Sequence, residues 1–268
     1  MDGDHKKYTE ANRKAWNEVT PYHQKANRER LLRSFAQPGF SCLDETITGK
    51  IRELGIAGKE VAQLGCNNGR ELISLKNLGA KRAVGFDISD AAIDEARALA
   101  AHAGVACEFV RTDIYEIPQE FQSNFDLIYI SIGVLAWMPD LERFFGIASG
   151  ILRPGGYVLI YEMHPFMQMV DEQKKDPPVQ LKESYFRKEP WVDTESLDYY
   201  THAKYDSSPQ YNFPYTISKL FMSLLRSNIS IKFIGEYESD ISCCFTDLEK
   251  MEAGLPMSYI LVGEKRAE

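Results

Sequence analysis

The sequence predicts an α/β protein with a doubly wound, mostly parallel seven-stranded sheet, an N-terminal helical segment and a lid insertion. Two observations lead to this prediction. Short apolar runs alternate with helix-like segments between residues 58 and 164. These runs are continuously apolar, which is typical of strands buried on both faces of a parallel sheet. Right-handed crossovers then place the carboxyl ends of the strands along one edge, where ligands bind.

The first predicted segment, residues 1–57, is a helical cap. Residues 8–36 are expected to be helical, with Pro21 as a break because proline lacks the backbone N–H. A second helix is expected over 43–54, and Gly55 follows it as a stop signal.

The second segment, residues 58–164, is the α/β core. Glycines follow its helix-like stretches as C-cap signals, and Ser89 is placed to cap a helix start. The RPGG turn at 153–156 leads into the last core strand. In chain order the core is predicted as strand 61–64, helix 71–78, strand 83–86, helix 90–103, strand 107–110, strand 125–130, helix 141–152 and strand 157–161.

The third segment, residues 165–215, is predicted to be a lid over the acceptor. Its periodicity is lost and it contains several prolines, yet it is rich in aromatic residues, which argue against disorder. Its mixture of aromatic and acidic side chains suits a cationic or aromatic small molecule, although such charges are also common on a solvated face. The last segment, 216–268, is predicted as helix 216–227 and strands 229–237 and 257–264 that complete the sheet.

Composition and charge narrow the class of protein. The chain of 268 residues is 44% hydrophobic, which is enough for a substantial core, and its formal net charge is −8. That charge disfavours nucleic acid as a partner, because phosphates require basic patches. No apolar run of about 18 residues and no signal peptide stand out, so a cytoplasmic protein without membrane association is expected. The five cysteines form no CxxC pair, and no metal site is expected.

The stretch VAQLGCNNGR, residues 61–70, predicts a strand, a glycine turn and a helix start. It fits neither a dinucleotide fingerprint, which requires two further glycines where Asn67 and Arg70 stand, nor a Walker loop. The spacing of Gly65 and Gly69 suits close approach to a ligand without a pyrophosphate. Asp87, 22 residues after Gly65, ends the second strand and can accept hydrogen bonds from ribose hydroxyls, and Asp113 ends the third strand near an adenine amino group. Together these features predict an adenosine site.

Five motifs in this order resemble the class I S-adenosylmethionine-dependent methyltransferases, which have a Rossmann-like fold. The resemblance covers about residues 58–164, and the late helix and two strands are similar to the family's ending, in which the last strand inserts antiparallel. The motifs are VAQLGCNNG (61–69), VGFDIS (84–89), RTDI (111–114), FDLIY (125–129) and LRPGG (152–156).

The resemblance implies S-adenosylmethionine as the cofactor. It assigns the methionine portion to Gly65 and Gly69, the ribose to Asp87, and the adenine to Asp113 with Ile114, while Ser131 to Gly133 face the methyl donor. The full set of implied cofactor-binding residues is Gly65, Cys66, Asn67, Asn68, Gly69, Asp87, Ile88, Asp113, Ile114, Ser131 and Tyr22. The chain departs from the family pattern at Gln63, where an acidic residue is frequent, and at Asn67, where glycine is frequent. Asn67 still tolerates a positive φ.

Candidate catalytic residues follow the fifth sheet strand. Methyl transfer from a sulfonium needs a base only when the acceptor must lose a proton, and His164 is the expected base, with Glu162 positioning the acceptor or holding His164. The alternative is that His164 caps a loop before Pro165. Trp137 is expected to stack on the adenine, wall the acceptor pocket or simply pack. An N-terminal helix is expected to close over the donor or pack on the sheet through Tyr8, Asn12, Trp16 and Tyr22.

The favoured function is methyl transfer to nitrogen, oxygen or sulfur of a small molecule. A nucleic-acid amino-methyltransferase is disfavoured, because no Asn/Asp-Pro-Pro-Tyr stretch follows the fourth strand. A nicotinamide-dependent oxidoreductase is the different enzyme class, and Arg70 argues against it. A binding or regulatory protein that has kept the fold and lost the chemistry remains open, since the departures at Gln63 and Asn67 are compatible with it.

Overall fold

The computed structural model describes residues 2–171, 179–201 and 203–267. The strands are β1 (Glu60–Leu64), β2 (Arg82–Asp87), β3 (Glu108–Arg111), β4 (Phe125–Ile130), β5 (Leu152–Met163), β6 (Trp191–Asp193), β7 (Gln210–Asn212), β8 (Ile229–Tyr237) and β9 (Ser258–Lys265). The helices are α1 (Asp2–Phe35), α2 (Glu45–Glu53), α3 (Arg70–Asn77), α4 (Asp90–Ala103), α5 (Leu141–Ile151), α6 (Ile217–Arg226) and α7 (Thr246–Lys250). The predicted lid includes residues 172–178 and 202, which lie outside the described residues.

One seven-stranded sheet organises the molecule, in the order β3-β2-β1-β4-β5-β9-β8. The strands from β1 to β5 pair in parallel, and β9 lies between β5 and β8 and is antiparallel to both. The predicted doubly wound, mostly parallel seven-stranded sheet is therefore confirmed. Its topology puts the carboxyl ends of β1, β2, β3, β4 and β5 along one edge.

Both faces of the sheet are covered, as the apolar strands predict. Ile128 and Ile130 of β4 pack on the side of α5 and α6, whereas Leu127 and Tyr129 pack on the side of α2, α3 and α4. All four side chains are at most 1% exposed. A strand with two buried faces gains hydrophobic stabilisation from every residue, about 25 cal/mol per Å² of apolar surface, which fixes the ends of the strands that carry the polar site.

The first helix differs from its prediction, because α1 runs without a break through Pro21. An internal proline removes one helix hydrogen bond and costs about 3 kcal/mol. Contacts on both sides of Pro21 offset that cost. Ala15 and Val19 are fully buried before it, and Tyr22 packs on a tyrosine ring after it. The predicted break is wrong because tertiary packing overrides the local propensity.

Two further elements depart from the sequence expectations. The fifth strand begins at Leu152, because Leu152 already pairs with Phe125 and the RPGG residues lie within the strand around a register shift. The lid contains a two-stranded antiparallel ladder in which Trp191 pairs with Asn212 and Asp193 with Gln210. The boundaries of cap, core, lid and closing segment stay a prediction.

Candidate functional site

A tight glycine turn connects β1 to α3 at the carboxyl edge of the sheet. Gly65 has φ +70°, Asn67 has φ +46° and Gly69 has φ +73°. The backbone N–H groups of Gly65 and Cys66 both donate to the carbonyl oxygen of Phe86, at 2.8 and 3.0 Å, which ties the turn to β2. Asn67 adopts a positive φ, which asparagine tolerates.

Close packing explains why the two glycines are required. A Cβ on Gly65 would lie 2.6 Å from Val134 Cγ2, and a Cβ on Gly69 would lie 2.7 Å from Phe109 Cε1 and 2.9 Å from Ala96 Cβ. The neighbouring Cys66 is buried, and burial raises the pKa of its thiol well above the usual value, so it is an unreactive small side chain.

Asp87 joins the glycine turn to the start of α4. Its Oδ2 accepts from the backbone N–H of Asn67 at 2.8 Å, and its Oδ1 accepts from the N–H of Ser89 at 2.9 Å. Burial raises the pKa of this carboxyl, while these backbone bonds and one from Ile88 act in the opposite direction. Three backbone bonds leave one of the roughly four acceptor positions of the carboxylate free. Asp87 can therefore accept hydrogen bonds from a ligand while it holds the turn.

The third strand end is simpler. Asp113 caps the short turn Ile114–Glu116 through a bond from the N–H of Tyr115 to its Oδ1 at 2.9 Å. Ile114 is 5% exposed and belongs to the core on the α5 side of the sheet. Asn68, in the glycine turn, directs its side chain to Glu95 of α4, and that interaction lowers the pKa of Glu95 against the larger effect of burial, which raises it.

A cluster of polar side chains lies beside the glycine turn, and the sequence indicated only some of its members. Gln63 is 1% exposed, and its Nε2 donates to Glu71 Oε2 at 2.7 Å and to Ser131 Oγ at 3.2 Å. Within the described part of the chain its Oε1 is buried with no hydrogen-bond partner. The amide orientation follows from chemistry, because only the NH₂ group can face the Glu71 carboxylate.

Glu71 was missed by sequence reasoning, since no motif marks the first turn of α3. The signal in the sequence was Gln63 itself. An uncharged residue at a position that is frequently acidic indicates that another residue supplies the negative charge.

The two predicted catalytic residues lie at the end of β5 but do not act on each other. Glu162 accepts four hydrogen bonds from the backbone N–H groups of Gly133, Leu135 and Met163. This geometry does not favour the alternative in which it holds His164, and its role in positioning an acceptor stays a prediction. Burial raises the pKa of Glu162 to about 7. Its carboxylate is directed at the loop after β4.

His164 has a protein group beside each ring nitrogen. Its Nδ1 accepts from the N–H of Phe166 at 3.1 Å, and its buried Nε2 lies 3.0 Å from Glu236 Oε1 of β8 without a well-directed hydrogen bond among the described residues. Burial lowers the pKa of His164, and the neighbouring Glu236 acts in the opposite direction. This geometry favours the capping alternative over the general base, whose role stays a prediction.

Helix α1 and the lid are fastened together across the carboxyl edge. Asn12 bonds to both backbone groups of Tyr211, donating to its carbonyl at 3.0 Å and accepting from its N–H at 2.7 Å. Glu18 accepts from the N–H and the hydroxyl of Ser208, each at 2.7 Å. Tyr22 stacks on Tyr205 with ring centroids 4.7 Å apart. These contacts place Tyr22, predicted to bind the cofactor, against the lid.

A row of aromatic rings runs from the loop after β4 across α1 to the lid. Trp137 meets Trp16 at 5.4 Å, Trp16 meets His23 at 6.1 Å, and His23 contacts Tyr199 at 4.5 Å and Tyr200 at 4.9 Å between ring centroids. We call these five residues the aromatic row. Arg70 of α3 reaches its far end, with Nη1 3.5 Å from the Tyr200 hydroxyl. The row therefore covers the edge that carries the glycine turn.

Comparisons with known proteins find similarity to methyltransferases. A family described as a methyltransferase domain matches residues 61–156. A ribosomal protein L11 methyltransferase of Tolumonas auensis is 31% identical over 107 residues, which are 40% of this chain and 35% of that protein. A ubiquinone biosynthesis O-methyltransferase of Shewanella pealeana is 28% identical over 104 residues, 39% of this chain and 43% of that protein.

A solved structure shows the same fold over most of the chain. An S-adenosylmethionine-dependent methyltransferase of Mesorhizobium loti superposes with a TM-score of 0.60 at 20% identity, covering 81% of this chain and 96% of that one. The chain spans less than half the length of the two curated relatives, so their substrates are not transferred with the match. In the described residues no helix is both long and apolar enough to cross a bilayer.

Proposed function

We propose that this chain, as a class I S-adenosylmethionine-dependent methyltransferase, transfers a methyl group to a nitrogen, oxygen or sulfur atom of a small molecule. The observation that carries the proposal is the order of polar groups at the carboxyl edge. The glycine turn, Asp87 and Asp113 follow three adjacent strands, and α1 with the lid covers them.

The residues present fit S-adenosylmethionine. The buried Oε1 of Gln63 lacks a hydrogen-bond donor within the described residues, and Glu71 supplies a carboxylate beside it. An α-ammonium group is both a donor and a cation, so this pair suits the methionine end of the cofactor. Asp87 has an acceptor position left for a ribose hydroxyl, and one oxygen of Asp113 is free of the backbone bond that caps its turn. When bound, the cofactor supplies an electrophilic methyl group on a sulfonium.

The covering of the site supports a small acceptor. Asn12, Glu18 and Tyr22 on one side, and residues 205–211 of the lid on the other, close the edge with the protein's own chain. A polymer would have to displace both. The net charge of −8 also gives a nucleic-acid phosphate no electrostatic attraction. We therefore place small molecules ahead of proteins and nucleic acids as acceptors.

Alignment and exclusion of water supply most of the proposed rate enhancement. In-line displacement requires the acceptor atom and the methyl carbon to meet in one geometry, and a covered, largely aromatic wall provides it. The aromatic row also favours an acceptor that carries a positive charge or a ring. Where the acceptor must lose a proton, His164 is the candidate base, and its Nε2 must then leave Glu236.

A second candidate function is cofactor binding without transfer. It is favoured by one observation: both candidate catalytic side chains are already occupied by protein groups. In that case the chain would bind S-adenosylmethionine as a regulatory signal, with the lid as the responsive element.

Thermal unfolding with S-adenosylmethionine, S-adenosylhomocysteine and NAD, each added alone, tests the donor site. A ligand at 100 times its dissociation constant stabilises the folded state by about 2.7 kcal/mol. We expect a rise in Tm with both adenosyl compounds and none with NAD; a rise with NAD alone would overturn the donor site. Methyl transfer to a panel of amines, thiols and phenols then separates the two functions, since a binding protein gives no methylated product with any of them.

A further inference from the structure

The carboxylate of Glu162 is an unusual group to find at this depth. It is 3% exposed, and among the described residues no cation pairs with it. A buried charge without a partner is costly unless hydrogen bonds satisfy it. Here the compensation is entirely backbone: Oε1 accepts from Gly133 at 2.7 Å and Met163 at 2.9 Å, and Oε2 accepts from Gly133 at 2.9 Å and Leu135 at 3.3 Å.

An ionised carboxylate suits this set of contacts best. Every group that hydrogen-bonds to it is an N–H donor, and a carboxylate offers acceptors alone. A protonated carboxyl, or an amide, would turn one donor of its own towards a backbone N–H. The negative charge of Glu162 therefore complements the backbone N–H groups of the loop of residues 131–135. A neutral carboxyl or amide at this position does not.

The loop that Glu162 holds also packs on the glycine turn. Val134 lies directly against Gly65, where a Cβ would come within 2.6 Å of Val134 Cγ2. Ser131 at the start of the loop accepts from Gln63 Nε2 at 3.2 Å. Glu162 thus reaches the cofactor side of the site through two intermediate contacts, without touching it.

We propose that Glu162 is a positioning residue whose negative charge keeps the 131–135 loop in the arrangement that binds the cofactor, and that binding of a proton to Glu162 releases the loop. The groups that face it from the neighbouring elements are Tyr259 of β9, Tyr215 before α6 and Glu71 of α3. None is a cation, and Tyr215 and Tyr259 bond to each other at 3.3 Å. The part that concerns the cofactor rests on the proposed function; the part that concerns the loop does not.

Burial raises the pKa of Glu162 to about 7, so the change falls near neutral pH. A carboxyl whose folded-state pKa is raised stabilises the fold below its unfolded pKa, and that contribution is lost as pH rises through about 7. Stability and loop order therefore have opposite pH dependences. The charged form that orders the loop is the one that the folded protein tolerates less well.

Hydrogen–deuterium exchange of the peptide containing residues 131–139 tests the loop, at pH 5.5 and pH 8 with correction for intrinsic rates. In the wild type we expect about tenfold greater protection at pH 8, the size of one lost charge-assisted hydrogen bond. Glu162→Gln imitates the protonated form and should give the low value at both pH values. Glu120→Gln, the same acid-to-amide change at an exposed position, is the matched control and should leave the loop as in the wild type.

Two further measurements distinguish the role from simple structural support. The affinity for S-adenosylhomocysteine should fall about tenfold between pH 8 and pH 5.5 in the wild type and stay low and flat in Glu162→Gln. The stability of the wild type relative to the variant should decline as pH rises over the same range. Equal loop protection of the wild type at both pH values would overturn the proposal, even if the variant failed to fold. A wild type that binds no S-adenosylhomocysteine at either pH would refute the proposed function, whatever the loop does.

Discussion

The two halves of the candidate site differ in how far apart along the chain their bonded residues lie. The cofactor half consists of the ends of β1 to β4 and the turns that follow them. In this half Asp87 bonds to Ser89 and Asp113 bonds to Tyr115, and each partner is two residues away along the chain. In the cap half, α1 with residues 197–213, Asn12 and Tyr211 are 199 residues apart, and Glu18 and Ser208 are 190 apart. The cofactor half thus combines such local turns with a few longer bonds, of which Gln63 to Ser131 spans 68 residues, whereas these bonds of the cap half join residues about three times as far apart.

This difference has consequences for stability as well as for prediction. Local turns form with little loss of chain entropy, whereas closing a long loop costs more and must be repaid by the contacts it makes. The cap half should therefore open at a lower free energy than the cofactor half. A site of this kind keeps a rigid cofactor platform beneath a cover that can separate from it.

The largest expected effect is damage to the cofactor half by Gly69→Ala. The new Cβ would meet Phe109 and Ala96 within 2.9 Å, at a backbone φ of +73°. Strain and overpacking together should cost about 3 kcal/mol of unfolding free energy. Urea denaturation measures the loss, and titration with S-adenosylhomocysteine should show no binding.

Gly104→Ala is the matched control for this change. Gly104 also has a positive φ, +65°, but a Cβ there meets open space. Only the backbone strain remains, about 1 kcal/mol. Equal losses in the two variants would mean that close packing of the glycine turn contributes nothing.

Detachment of the cap half is the second effect, produced by Asn12→Ala. The change removes both bonds to the Tyr211 backbone and leaves those groups unpaired, at a cost of about 2 kcal/mol. Limited proteolysis should cut the segment around 203–213 faster, while the exchange protection of β1 and β4 stays unchanged. Asn27→Ala, which removes a bond of 3.4 Å to His23 and one to Arg30, should have little effect on proteolysis. Equal loosening of both halves would contradict their independence.

The sequence predicted most of the cofactor half because the signals for its turns and helix ends are local. Continuous apolar strands, glycine stops and Ser89 as a cap are local signals, and each produced the expected element. Asn67 in a positive-φ position was also readable, because asparagine tolerates that region.

The remainder could not be predicted because its partners are remote. Pro21 breaks an isolated helix, but packing on both sides keeps α1 continuous. The bond between Asn12 and Tyr211, the engagement of His164 by Glu236 and the capture of the 131–135 loop by Glu162 all depend on the folded topology. A single sequence contains the residue types for these contacts but not their pairing.

The third effect concerns cofactor affinity without a change in the cap. Gln63→Leu removes the buried amide and leaves Glu71 and Ser131 without its NH₂ group. We expect S-adenosylhomocysteine to bind at least about tenfold more weakly, or 1.4 kcal/mol, by calorimetric titration. Gln63→Glu, which restores the frequent acidic residue, would place two carboxylates together and should also weaken binding. Undiminished affinity in Gln63→Leu would show that the cluster does not hold the methionine end.

The smallest effect tests the junction between the halves, where α1 lies on the start of α4. Asp90 accepts from Arg13 at 2.9 Å and from Asn17 at 3.0 Å, and Asn17 also accepts from the Ser89 hydroxyl at 2.7 Å. Asp90→Asn removes a half-exposed charge, which contributes at most about 1 kcal/mol and less at high salt. Asn17→Ala removes the bonds to Ser89 and Ala91 as well, so its larger loss should be independent of salt. Denaturation at 0.05 M and 0.5 M salt compares them. If Asp90→Asn lowered the free energy of unfolding more than Asn17→Ala, α1 would be attached to α4 mainly by charge. The cap half would then detach when the ionic strength rises, independently of the lid.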